Sequence, residues 1–303
     1  MSAALKNHNL AFIKMNGAGN DFVIFDARKN EISLTSPQIQ KISDRKNIGC
    51  DQLIILREAS FEKGGGRAQA RSEDLDLNHP SSAEVADATL FFKEGQDYDA
   101  EMEIYNSDGS RSGACGNATR CVASLLLAET KKSQIKIKTA AGILECWKSG
   151  EQISVNMGKP KFSENISLYG FDFACVDVGN PHAVTFLSDK ISDEKFFEVG
   201  PKVECDKFFP SKTNVEFARI LSDDLIEVRV FERGAGETLA CGSGACAVGV
   251  LAIKNSLIKS TKVTIRFKGG DLQIEWKKDG DSAIIMTGGY KKIFSGEIDE
   301  SFF

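Results

Sequence analysis

The sequence predicts an α+β protein of two pseudo-symmetric halves, each with many strands gathered around one apolar helix. Three observations predict it: an internal duplication, a succession of short apolar runs with strand spacing, and two stretches of small and aliphatic residues of helical length. The 303 residues are about twice the commonest domain size, so a two-domain chain is expected on length alone.

The duplication is the strongest of these signals. Residues 114–127 read ACGNATRCVASLLL and residues 240–252 read ACGSGACAVGVLA. Residues 142–158 (GILECWKSGEQISVNMG) and 270–288 (GDLQIEWKKDGDSAIIMTG) then repeat a second pattern, and the only two tryptophans, Trp147 and Trp276, hold matching places. A weaker echo pairs Gly19 and Asn20 with Gly179 and Asn180, each before an apolar run. Three echoes in one order imply two homologous halves. The expected division is 1–159 plus 288–303 for the first half and 160–287 for the second. The first half is longer by a segment at 61–98, whose Gly cluster and mixed charges read as an inserted loop.

Element by element, apolar alternation places strands at 22–26, 52–57, 101–105, 134–139 and 143–148 in the first half. In the second half it places them at 174–178, 183–187, 214–219, 225–232, 262–268, 272–276 and 283–287. Helices are expected at 36–44, 117–130 and 243–258. The last two are nearly all small or aliphatic, which marks each as a buried helix wrapped by its own sheet.

Composition removes several function classes. The net charge of −5 and a pI near 5.5 lack the basic surplus of a nucleic-acid binder. No apolar run reaches the roughly 18–20 residues that span a bilayer. The first 22 residues contain no signal-peptide apolar core, so the cytoplasm is the expected location. Eight cysteines in such a chain are not a disulfide framework. None forms a Cys-x-x-Cys pair and the three histidines are scattered, so no metal site is expected either. Most of the cysteines read as small buried hydrophobes.

Two of them are different. Cys115 and Cys241 each precede a Gly that opens a predicted buried helix, with Asn117 and Ser243 as N-cap or first-turn residues. Gly116 and Gly242 permit a tight turn and a close ligand approach. The unpaired amides and the positive end of the helix dipole make each start an anion site, and the same field favours a thiolate. Pseudo-twofold symmetry turns the two sites toward each other. Facing thiols around an anion hole suit removal of a proton from one face of a carbon and its return on the other.

The segments MNGAGNDF (15–22), GCDQLIIL (49–56), NSDGSRSGACGNATRC (106–121), GNPHAV (179–184), TNVEF (213–217) and ERGAGETLACGSGAC (232–246) resemble the diaminopimelate epimerase family along nearly the whole chain. The resemblance implies a barrel-like mixed sheet around a central helix in each half, with the site between them. It implies a cofactor-independent epimerase that converts LL- to meso-diaminopimelate for lysine and peptidoglycan synthesis. Carried over by residue, Cys115 and Cys241 are the acid/base thiols, supported by His182 and Glu232. Gly116, Asn117, Gly242 and Ser243 hold the reacting carboxylate. Asn20, Gln52, Asn106, Asn180, Asn214, Glu232 and Arg233 bind the substrate, largely at its distal end. A homodimer is the expected assembly. Three departures stand out: the insertion at 61–98, which is the largest, Ala118 where the family usually has Gly, and Cys50 in place of a small residue, which reads as a packing thiol. The nearest alternative is a proline, hydroxyproline or histidine racemase on the same scaffold, which lacks the polar set for a second amino-acid head. A thiol redox switch is the alternative of a different class, and it needs neither His182 nor Glu232.

Overall fold

The computed structural model of the protein describes residues 9–59, 98–279 and 281–303. The insertion read at 61–98 therefore lies, but for Tyr98, outside the described residues. The duplication in the sequence is a duplication of topology. In the first half, Leu10–Gly17 and Asn20–Asp26 form an antiparallel pair, and Asn20–Asp26 then runs parallel to Gln52–Glu58. Next come Ala100–Asn106, antiparallel, and Gln134–Thr139, parallel, followed by the meander Gly142–Ser149 and Gln152–Asn156. The second half repeats the same signs: Phe171–Asp177, Pro181–Leu187, Asn214–Ser222, Leu225–Glu232, Lys262–Phe267, Gly270–Glu275 and Ile285–Gly288. The two half-sheets join where Gln152–Asn156 pairs antiparallel with Ile285–Gly288. The chain then returns, and Lys291–Ile298 pairs with Leu10–Gly17.

Four helices complete the fold: α1 (Ser36–Ser43), α2 (Gly116–Thr130), α3 (Asp193–Glu204) and α4 (Gly242–Lys254). Side chains alternate across a strand, so one strand serves two layers. Phe22, Ile24, Ile54 and Leu56 point into the core with α2, while Val23, Phe25, Leu53 and Ile55 pack with Ile39 and Ile42 of α1. The second half does the same, with Val176 and Val184 toward α4 and Phe173, Cys175 and Phe217 toward α3. Burial on both faces explains why these strands are continuous apolar runs. Helix α2 packs against strands at both ends of its half-sheet, Leu10–Gly17 and Gln152–Asn156, so the sheet wraps it. Helix α4 is wrapped likewise by strands from Phe171–Asp177 to Gly270–Glu275. Among the described residues, no helix is long and apolar enough to cross a membrane.

Several expectations need correction. Strands Leu10–Gly17, Gln152–Asn156 and Lys291–Ile298 were not read from the sequence, and neither was α3. Gly200 and Pro201 inside α3 obscure its Phe196, Val199 and Val203 stripe. Helix α4 ends at Lys254, not at 258, because Asn255 caps it and Ser256 turns left-handed at φ 56°.

Candidate active site

The two cysteines singled out by the duplication are the N-cap residues of the two wrapped helices. Cys115 precedes α2 with extended backbone (φ −148°, ψ 107°), and Cys241 precedes α4 (φ −127°, ψ 120°). The helices thus begin at Gly116 and Gly242, with Asn117 and Ser243 in the first turn. These starts abut: a Cβ on Gly242 would stand 3.6 Å from Gly116 Cα and 3.7 Å from Asn117 Oδ1. Bulk at either glycine would also strike Met286, whose Cε is 2.7 Å from a Cβ built on Gly116. Free helix-start amides from both halves therefore converge on one locus. Ala118 lies inside α2, outside the left-handed region, so its methyl is accommodated without backbone strain.

Polar groups stand at equivalent places of the two halves. Asn20, at the head of its strand, accepts from Asn117 Nδ2 at 2.8 Å. Gln52 faces Asn106 directly across the ladder and donates to it at 3.0 Å. In the second half Asn180 Oδ1 lies 3.0 Å from His182 Nε2. Asn214 stands beside His182 in the parallel pair and accepts the Arg233 backbone N–H at 3.0 Å. Glu232 ends its strand as Asn106 ends the corresponding one, and it accepts from the Thr238 hydroxyl. The Arg233 guanidinium is exposed and donates to the Ser211 carbonyl at 3.1 Å.

His182 sits in the strand Pro181–Leu187 with its side chain fully buried, and its Nδ1 is 2.7 Å from Oε1 of an equally buried Glu216. Glu216 is the site residue that the sequence reading missed. The available signal was a carboxylate two places beyond Asn214, flanked by Val215 and Phe217, hence on the same face as Asn214. Its second oxygen has no hydrogen-bond partner among the described residues. It also explains Gly244, since a Cβ there would meet Glu216 Oε1 at 2.8 Å and Cys241 Sγ at 3.4 Å.

The helix-start field favours thiolates at both cysteines, but burial prevails. Burial pushes the Cys115 thiol up to about 11, and Glu232 adds to the rise. The Ala118 and Asn117 amides and the Arg120 charge pull it back only in part. Cys241 is held well above its usual range by burial, then by the Glu232 and Glu216 carboxylates, against the Ser243 hydroxyl and the Gly244 amide, 3.3 Å from Sγ. Glu232 itself is raised by burial. All eight cysteines are free thiols, and Cys50 packs in the α1 layer as expected of a small hydrophobe.

A family model for diaminopimelate epimerase matches residues 78–163 and 174–293. The diaminopimelate epimerase of Acidiphilium cryptum (strain JF-5) is 38% identical over 305 residues, covering 95% of this chain and 96% of the relative. That of Methanococcus maripaludis (strain C6) is 34% identical, covering 96% and 100%. The fold is similar to a Bacillus anthracis phenazine biosynthesis protein of the PhzF family (TM-score 0.63, 14% identity, 96% and 99% covered). It is also similar to a hydroxyproline epimerase from Agrobacterium vitis (TM-score 0.60, 14% identity, 96% and 93% covered). With two thiol-capped helix starts meeting in a duplicated sheet, and with this identity over almost the full length, the chain belongs to the diaminopimelate epimerase family.

Proposed function

We propose that this protein interconverts LL- and meso-diaminopimelate by moving one α-proton between two thiols, without a cofactor. One sulfur, as thiolate, takes the proton from one face of the α-carbon. The electron pair left behind spreads into the carboxylate, and the other thiol returns a proton to the opposite face. The observation that carries this reading is the pair of cysteines capping two abutting helix starts, where a Cβ added to Gly242 would stand 3.6 Å from Gly116 Cα. The reacting carboxylate rests on the amides at Gly116, Asn117, Gly242 and Ser243. Asn20, Gln52, Asn106, Asn180 and Asn214 supply uncharged donors and acceptors to the rest of the substrate. Arg233, whose exposed guanidinium donates to the Ser211 carbonyl, turns to take the distal carboxylate in a bidentate pair. Glu232 and His182 set the proton balance of the thiols.

The units that bear the two thiols are residues 1–159 with 288–303, and residues 160–287. We assign the protein to the cytoplasm, as a homodimer. The test is to incubate the reduced protein with LL-diaminopimelate in D₂O and follow α-deuteration and formation of the meso isomer. C115A and C241A are each expected to lose net epimerisation, since general acid–base groups supply about 10²–10⁴-fold each. Full activity in either variant would remove the two-thiol reading.

A further inference from the structure

Arg120 is the fifth residue of α2, and its side chain is fully buried. A buried guanidinium ordinarily faces a carboxylate, because an uncompensated interior charge is costly. Arg120 enters no ion pair among the described residues. Its Nη1 donates to the Gly116 carbonyl at 3.3 Å and lies 3.7 Å from Met286 Sδ, and its Nε donates to the Gly289 carbonyl at 3.4 Å. Nη2 has no partner among the described residues. The fold makes room for this group. A Cβ on Gly288 would stand 2.9 Å from Nε and 3.1 Å from Cζ, so only glycine there admits the guanidinium in its present place.

The charge lies directly behind the meeting point of the two helices. Met286, which Nη1 touches, packs on both helix starts, since its Sδ is 3.3 Å from a Cβ built on Gly242 and its Cε 2.7 Å from one built on Gly116. Guanidinium, thioether and the two glycines form one cluster. The Arg120 charge reaches thiols of both halves, pulling Cys115, Cys121 and Cys246 downward against their burial. The duplication does not repeat it: the place before the second cysteine of the motif is Arg120 in one copy and Ala245 in the other. One copy of the motif thus carries the cation, and the other has none.

We propose that Arg120 is the buried counter-charge of the carboxylate site, stabilising the negative charge that builds on the substrate carboxylate as the α-proton leaves. This rests on the reading that the paired helix starts hold that carboxylate. Arg120 acts through the helix starts and Met286 without touching substrate, so it is a positioning residue. Its charge is worth most when the carboxylate carries the extra electron pair, which is the condition for lowering a barrier and not merely binding.

The test compares R120M, R120Q and R120K with wild type for kcat, KM and thermal midpoint, with LL-diaminopimelate as substrate. The neutral variants are expected to fold with an undiminished midpoint, because an unpaired buried charge has been removed. Their kcat should fall roughly tenfold to a hundredfold, below the effect of a directly bonded oxyanion donor, with a smaller change in KM. R120K should recover at least a third of the loss on a logarithmic scale. A kcat within twofold of wild type in R120M, or R120K no better than R120M, would overturn the proposal. So would failure of both neutral variants to fold, since the guanidinium would then be a packing element. If instead wild type leaves LL-diaminopimelate unchanged, or C115A keeps its activity, the underlying two-thiol reading falls and this proposal with it.

Discussion

Glu216 offers the sharpest perturbation of the site, because its two effects have opposite signs. Its carboxylate and the His182 imidazole are both fully buried at 2.7 Å. In E216Q the amide oxygen still accepts from Nδ1, so what disappears is the charge-assisted part of the hydrogen bond. That part is about 1–2 kcal/mol, the difference between a charged and a neutral bond. If His182 orientation matters to the reaction, kcat/KM should fall about 5- to 30-fold, at 1.36 kcal/mol per decade. The same substitution removes a negative charge beside Cys241, one of the groups that hold that thiol up. Cys241 should therefore react faster with iodoacetamide at fixed pH in E216Q, even as turnover slows. E216A leaves the imidazole Nδ1 without its partner, and its cost should appear as a loss of about 1–3 kcal/mol in urea unfolding. The assay pairs steady-state epimerisation with peptide mapping of alkylated Cys241. Wild-type kcat/KM together with an unchanged Cys241 alkylation rate would refute the reasoning.

Other expectations follow from the same features. Burial raises Cys121 and Cys246 to about 12 and Cys175 to about 11, so folded thiols keep protons that unfolded ones release. Below about pH 8.5 both states are protonated and stability is complete; between pH 9 and 11 it falls by about 1.4 kcal/mol per thiol per unit. Three thiols give roughly 4 kcal/mol by pH 10, and a urea midpoint flat from pH 8.5 to 10.5 would contradict it. Mild oxidant should inactivate the enzyme reversibly by joining Cys115 to Cys241, which needs Cα atoms about 4.4–6.8 Å apart, with substrate protecting. Inactivated protein whose peptides still show both thiols reduced would exclude that link. Lysine, which lacks the distal carboxylate, should lose the Arg233 pair. Because that guanidinium is exposed, the loss is at the lower end, about 1 kcal/mol or fivefold in kcat/KM, and R233K should narrow the gap.

Much of the fold was legible because the chain writes it twice. The wrapped helices betray themselves by composition, since Ala, Val, Gly and Leu on all sides have no solvent face to mark. The missed strands fail for identifiable reasons. Leu10–Gly17 carries a Lys at position 14 that is buried in an ion pair with Asp21, which breaks the apolar alternation. Lys291–Ile298 leaves most of its side chains exposed, so it has little burial pattern to read. Its place at the sheet is set by backbone bonds to Leu10–Gly17, which composition does not encode. The polar set was legible only through the family motifs. Glu216 and Arg120 were not, although both stand inside segments quoted for the resemblance, because a lone charge in a sequence looks the same whether it is solvated or enclosed.

The thiols themselves show what a sequence cannot weigh. The helix-start field is visible from Cys-Gly followed by a small apolar run, and taken alone it predicts two reactive thiolates. Enclosure by two sheets works against it, and at Cys115 enclosure wins, placing the thiol at about 11. On the proposed reading, the amino acid supplies what is missing. Its α-ammonium brings a positive charge to the carbon between the two sulfurs, while its carboxylate stays on the amides in front of Arg120. The ammonium favours the thiolate that must take the proton, and the carboxylate accepts the electron pair that the proton leaves behind. Burial then biases the equilibrium: it holds both thiols toward the protonated form, and bound substrate draws out the thiolate.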